Sequence, residues 1–205
     1  MTDVADGITW ATGGTVPGVP ANPNPARVVN ISLGGAGICP SYLKAAIDGA
    51  VARGAILVTA SGNTNEDADN FFPVNCGGTL PVGATDRTGA KTWYSNHGPS
   101  IVVGAPGGDP RPGPADLMIT TSNSGTVTPV ADAYQYAAGT SLSAPVVAGV
   151  AALMLSVNPK LSIAGVRSIL QRTARPYVVP CTGCGAGIVD AKKAVEAAML
   201  APAAE

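Results

Sequence analysis

The stretch Gly139-Thr140-Ser141-Leu142-Ser143-Ala144-Pro145-Val146-Val147 decides how this chain is read. A glycine and a threonine lead tightly into a serine, and small apolar residues run on from Ala144 to Leu155. The pattern predicts a helix over Ser141–Val157 with the serine at its start. The first N–H groups of a helix lack intrahelical acceptors, and the positive end of the helix dipole points at them. A hydroxyl placed there can attack a carbonyl, and the free N–H groups can hold the oxyanion that forms. A serine at a helix start is also an ordinary N-cap, and these nine residues alone leave both readings open.

Outward from this stretch the pattern is α/β. Arg27–Ser32 is rich in strand formers, and Ser41–Arg53 has helical spacing, with Leu43, Ile47, Ala50 and Val51 on one face and Gly54 as its stop. Ala55–Ala60 is an apolar run suited to a parallel sheet, so these three segments form one strand-helix-strand unit. Leu80–Thr85 and Ile101–Val103 read as further strands, and Asp116–Thr121 with Gln135–Ala138 as a hairpin-like pair that delivers Ser141. Helices are predicted at Ser162–Thr173 and Asp190–Ala198, with loops at Gly107–Pro114 and Asn123–Asp132. No linker or repeat divides residues 1–205, which read as a single domain.

Composition narrows the function classes. The chain has 205 residues, 46% of them hydrophobic but only 4% aromatic, so helices and strands built on alanine, valine and glycine should pack closely. A net charge of −1 without a basic patch argues against nucleic acid as a partner. No apolar run approaches the roughly 20 residues of a membrane span, and no signal peptide is read at the start. The cysteines are Cys39, Cys76, Cys181 and Cys184. An even count in a chain rich in glycine and proline leans toward disulfides and an exported parent, with buried free thiols as the alternative. Cys181-Thr-Gly-Cys184 can close a small loop, act in redox chemistry or supply half a zinc site, and a single histidine makes zinc the weakest of these.

Several motifs in order resemble the subtilisin-like serine peptidases, or subtilases. Gly139-Thr140-Ser141-Leu142-Ser143-Ala144-Pro145 looks like the nucleophile motif of that family. Val28-Val29-Asn30-Ile31-Ser32-Leu33-Gly34-Gly35 looks like its substrate-binding strand, and Ile56-Leu57-Val58-Thr59-Ala60-Ser61-Gly62-Asn63 like the strand that ends in its oxyanion-hole asparagine. Tyr94-Ser95-Asn96-His97-Gly98-Pro99 and Gly104-Ala105-Pro106-Gly107 also fit, so the resemblance runs roughly from Asp3 to Ala198. It implies a three-layer subtilisin-like fold around a mainly parallel sheet. It implies Ser141 as nucleophile, with Asn63 and the Ser141 N–H as oxyanion donors and Thr140 as a third, weaker one. Ser32, Leu33 and Gly34 are expected to bind substrate backbone, with Ala60, Ser61 and Gly62 along the opposite wall of the S1 pocket. Pairing Cys39 with Cys76 would staple those walls together.

The family also uses an aspartate motif and a histidine motif that precede the substrate-binding strand, and neither is in this sequence. The expectation is a subtilase domain without its N-terminal part, with Met1 an internal or engineered start. His97 is the one histidine, and its position in the family is a turn between strands; a replacement base is the alternative role. Asp86 resembles a family position that binds calcium with backbone carbonyls near Pro73 and Asn75, or it caps a turn. No cofactor is required for the chemistry. Asn63–Asn70 carries three acids, which suit a cation or a solvated loop, and it reads as the loop. The expected function is a serine hydrolase, an endopeptidase in the secreted parent and an esterase as this chain. The alternatives are an inactive fragment that binds peptides, or one that self-associates or needs a complementing N-terminal half.

Overall fold

A computed structural model describes residues 2–202. Met1, read above as an internal start, lies outside the described residues. Helix α1 (Thr2–Ala11) leads to strand β1 (Val28–Ile31), the two-residue strand β2 (Gly35–Ala36) and helix α2 (Ser41–Ala52). Strands β3 (Ile56–Ala60), β4 (Phe71–Phe72), β5 (Leu80–Thr85) and β6 (Val103–Pro106) follow, then the hairpin β7 (Met118–Asn123) and β8 (Asp132–Ala137). Helices α3 (Thr140–Val157), α4 (Ile163–Thr173) and α5 (Ala191–Leu200) complete the chain.

The main sheet is parallel, in the order β1-β3-β5-β6. Successive side chains of a strand face opposite ways, and β3 shows what that does here. Leu57 packs with Ile31, with Ala5 and Ile8 of α1, and with Leu43, Ala46, Ile47 and Ala50 of α2. Its neighbours Ile56 and Val58 pack with Leu80, Val82 and the apolar residues of α3, α4 and α5. Two helical layers therefore enclose the sheet, and its strands are apolar on both faces because both are covered. Helix α3 is long and apolar enough to cross a bilayer by composition alone. Here it is the core helix, lying against β1, β3, β5, β6 and α5. Among the described residues no strand pairs with the outer edge of β1.

Most predicted elements stand within a residue or two, and the differences have physical causes. Helix α3 begins at Thr140 with Gly139 as its cap, so Ser141 is the second residue of the first turn and not the N-cap. The Ile101–Val103 segment becomes a strand only at Val103: Ile101 N–H still closes the turn onto Gly98 C=O, while Val102 N–H already donates to Pro81 C=O of β5. The hairpin runs further than predicted. Asn123 Oδ1 accepts from Gly125 N–H and Val130 N–H, which closes the loop and lets β7 and β8 pair as far as Asn123 and Asp132. Strands β2 and β4 were not predicted at all.

Candidate active site

The carboxyl ends of β1 and β3 and the first turn of α3 meet in a cleft of about 290 Å³. Ser32, Leu33, Gly34 and Gly35 line one side, Ala60, Ser61, Gly62 and Asn63 the other, and Thr140 and Ser141 the floor. All nine residues read from the sequence as catalytic or substrate-binding are in this one cleft. Phe71 and Phe72 also line it and were missed. A pair of adjacent aromatics carries no periodicity, and β4 reaches the cleft only because it pairs with β2 (Gly35 with Phe72, Ala36 with Phe71). A larger groove of about 440 Å³ between α1 and α2 has none of these residues.

Ser141 is partly exposed, and its hydroxyl donates to Ser32 C=O at 3.2 Å. In return Ser32 Oγ donates to Ser141 C=O at 2.8 Å, and Asn30 Nδ2 donates to Ser32 Oγ at 2.8 Å. The sequence explains why that carbonyl is free. Its helical donor would be the N–H of residue 145, which is Pro145 and has none. The proline inside the first turns of α3 therefore leaves an acceptor that joins the turn carrying Ser141 to the segment carrying Ser32. The Ser141 N–H, second in the helix, has no intrahelical acceptor either.

Asn63 is exposed, but its amide has one fixed orientation. Thr140 N–H and Thr140 Oγ1 both donate to Asn63 Oδ1 at 2.9 Å, so Nδ2 is the end left for a ligand. The Thr140 hydroxyl in turn accepts from Gly62 N–H at 3.2 Å. Thr140, expected as a third donor to the oxyanion, instead spends its hydroxyl hydrogen on Asn63 because it is fully buried beneath that amide. Asn96 holds the other side of the loop. Its Oδ1 accepts from Thr64 N–H, Thr64 Oγ1 and Glu66 N–H.

His97 is not among the residues lining the cleft. Its N–H donates to Glu66 C=O, its C=O accepts from Ala68 N–H, and its Nδ1 is buried without a partner. Asp86 Oδ1 accepts from Thr88 N–H, Thr88 Oγ1 and Ala90 N–H, the bonds of a turn-capping carboxylate. Asn75 Nδ2 donates to Gly37 C=O and Asp69 C=O, and Pro73 C=O accepts from Cys76 N–H. No group of three or more His, Cys, Asp and Glu side chains suited to a metal occurs among the described residues.

The four cysteines pair as Cys39–Cys76 and Cys181–Cys184, so of the roles open to the second pair the structure has the small closed loop. The first joins the segment after β2 to the turn after β4, behind the aromatic wall of the cleft. The second closes the loop whose Gly183 C=O accepts from Gly98 N–H.

Comparison with known proteins bears on the family and the fold. The chain is 47% identical over 201 residues to an extracellular protease of Xanthomonas campestris, covering 97% of this chain and 33% of the relative. It is 40% identical over 202 residues to an extracellular basic protease of Dichelobacter nodosus, covering 96% of this chain and 32% of the relative. The chain thus spans about a third of the length of these curated relatives. A solved structure of a protease from Pseudoalteromonas arctica superposes with a TM-score of 0.93 at 47% identity, covering 96% of this chain and 58% of that one. A cold-adapted subtilisin-like serine proteinase superposes with a TM-score of 0.66 at 29% identity, covering 93% of this chain and 60% of that one. Residues 1–197 match the Subtilase family, and with the fold and the cleft in agreement the chain belongs to the subtilases.

Proposed function

We propose that this chain carries the nucleophile and oxyanion-binding part of a secreted serine endopeptidase, and that by itself it hydrolyses activated esters. The single observation behind this reading is the fixed amide of Asn63 beside Ser141, with Thr140 holding Oδ1 and leaving Nδ2 for a developing charge. Donors fixed before reaction stabilise an oxyanion without reorganising.

In the proposed reaction Ser141 Oγ attacks the ester carbonyl carbon and its proton passes to water. The carbonyl oxygen becomes an oxyanion, which takes hydrogen bonds from Asn63 Nδ2 and Ser141 N–H. The bond to the leaving alkoxide breaks, giving an acyl-serine. Water then attacks that acyl group, the acid departs and the hydroxyl is restored. Ser141 Oγ bonds to a backbone carbonyl here and not to an imidazole, and His97 does not line the cleft, which supports a reaction that passes the proton to water. An amide needs a proton delivered to its poor leaving group, whereas p-nitrophenolate leaves without one. Serine peptidases lacking triad members keep roughly 10³–10⁴-fold over water through the oxyanion hole and binding. The relatives' extracellular designations and the two disulfides support a secreted parent.

The test is steady-state hydrolysis of p-nitrophenyl acetate and of casein by the chain and by Ser141→Ala. The expected result is ester turnover that Ser141→Ala abolishes, with casein untouched. Equal ester turnover by both proteins would overturn the proposal. A second reading draws on Ser32–Gly34, which border the cleft outside any strand pairing. Their backbone groups suit strand addition by an extended peptide, with or without turnover.

A further inference from the structure

We infer that Asn96 is a positioning residue for the oxyanion-binding loop, acting on Asn63 through the turn Gly62–Glu66; the inference rests on the reading of Asn63 as an oxyanion donor. Asn96 lies more than thirty residues further along the chain and is only 1% exposed. Its backbone N–H donates to Gly62 C=O at 3.0 Å, on the N-terminal side of Asn63. Its side-chain Oδ1 accepts from Thr64 N–H at 2.9 Å and Glu66 N–H at 3.1 Å, on the C-terminal side, and shares the Thr64 hydroxyl hydrogen, at 3.0 Å, with Glu66 Oε2 at 2.9 Å. One residue therefore bridges both flanks of Asn63 and satisfies donors that a tight turn cannot pair internally.

The clamp has a fixed base. Asn96 C=O accepts from Ser95 Oγ at 3.1 Å, and Ser95 Oγ also accepts from Ala84 N–H of β5 at 2.9 Å. The loop is thereby referenced to the sheet, while Thr140 references the Asn63 side chain to α3. Gly62 has φ +107°, and a Cβ there would run into Asn96 Nδ2. The glycine lets the asparagine lie directly against the backbone that carries the oxyanion donor. Loss of the clamp frees Thr64 and Glu66 to turn toward water and lets Asn63 drift. A displacement near 1 Å of a group that must meet a developing charge costs on the order of 10²-fold in rate.

The test compares Asn96→Ala, Asn96→Asp and a distant core variant, Val166→Ala in α4, in p-nitrophenyl acetate hydrolysis well below each unfolding midpoint. Asn96→Ala should lower kcat by about 10- to 100-fold with KM within about twofold. Asn96→Asp keeps an acceptor for all three donors and should restore most of kcat. Val166→Ala should leave kcat near wild type although it also lowers the midpoint. Amide hydrogen exchange, followed by NMR in the same proteins, should show Thr64 and Glu66 protected in the wild type and Asn96→Asp and unprotected in Asn96→Ala, with the Asn63 side-chain amide resonance shifted. A kcat for Asn96→Ala no lower than that of Val166→Ala, or an Asn96→Asp variant as impaired as Asn96→Ala, would overturn the inference. If the wild type has no Ser141-dependent turnover, the functional reading fails by itself and the exchange arm decides the positioning. Unchanged protection at Thr64 and Glu66 in Asn96→Ala overturns it, and loss confined to residues 62–66 upholds it.

Discussion

Asn63 shows how a single amide acquires a direction. An asparagine side chain offers a carbonyl and an amino end, and only the amino end can stabilise an oxyanion. Thr140 presents its N–H and its hydroxyl to the carbonyl end, so the choice is made before any substrate arrives. Thr140→Val keeps the N–H but loses the hydroxyl, and it strands Gly62 N–H without its acceptor. That variant should lose about tenfold in ester kcat, and the stranded donor should cost about 1–3 kcal/mol of stability. Thr140→Ser should retain both, as ester kinetics and urea unfolding can check. Asn63→Ala should be more severe, because loss of one oxyanion donor in a subtilisin lowers kcat by about 10²–10³.

At the scale of elements, the informative pieces are the short ones. Helices α2 and α4 and strand β5 were legible because each repeats its apolar residues at the helical or strand period or forms a continuous buried run. Strands β2 and β4 are two residues each, too short for any period, and pairing across about 35 residues of chain creates them. They form the aromatic wall of the cleft, and Cys39–Cys76 locks them from behind. In the chain-entropy view, closing a loop with a sequence separation of 37 stabilises the fold by about 4 kcal/mol. Replacing both cysteines by serine should remove most of that in guanidinium unfolding. Dithiothreitol should produce at least that loss in the wild type, and in the double variant a smaller further loss, from Cys181–Cys184.

Groups that do not line the cleft give the whole molecule a pH window. Burial pushes the Tyr177 hydroxyl up to about 12. It donates to Cys184 C=O at 3.0 Å, and Gly104 of β6 leaves the space it occupies. An unfolded tyrosine loses its proton near pH 10. Between pH 10 and 12 the unfolded chain therefore binds fewer protons than the folded one, so stability falls as pH rises through that window. On the acid side the Arg111 guanidinium holds the buried Asp109 carboxyl below the usual range. That contribution is complete above the unfolded carboxylate value and is lost as pH falls through the lower folded one. Unfolding midpoints measured from pH 3 to 12 should decline at both ends, and Tyr177→Phe should flatten the alkaline limb.

The sequence by itself determined the α/β class, the apolar runs that become the sheet, the helix that opens at Thr140–Ser141, and the residue types needed to attack and stabilise a carbonyl. Those properties are local: period, propensity, and the unpaired N–H groups of a first helical turn. The tertiary structure alone decided how the parts engage. It placed Ser32 against the carbonyl that Pro145 leaves free, made Thr140 the group that orients Asn63, and brought Asn96 to both flanks of the loop that carries Asn63. These are single hydrogen bonds between residues about 30 to 110 positions apart, which no local pattern encodes and which exist only once the sheet and its two helical layers are packed.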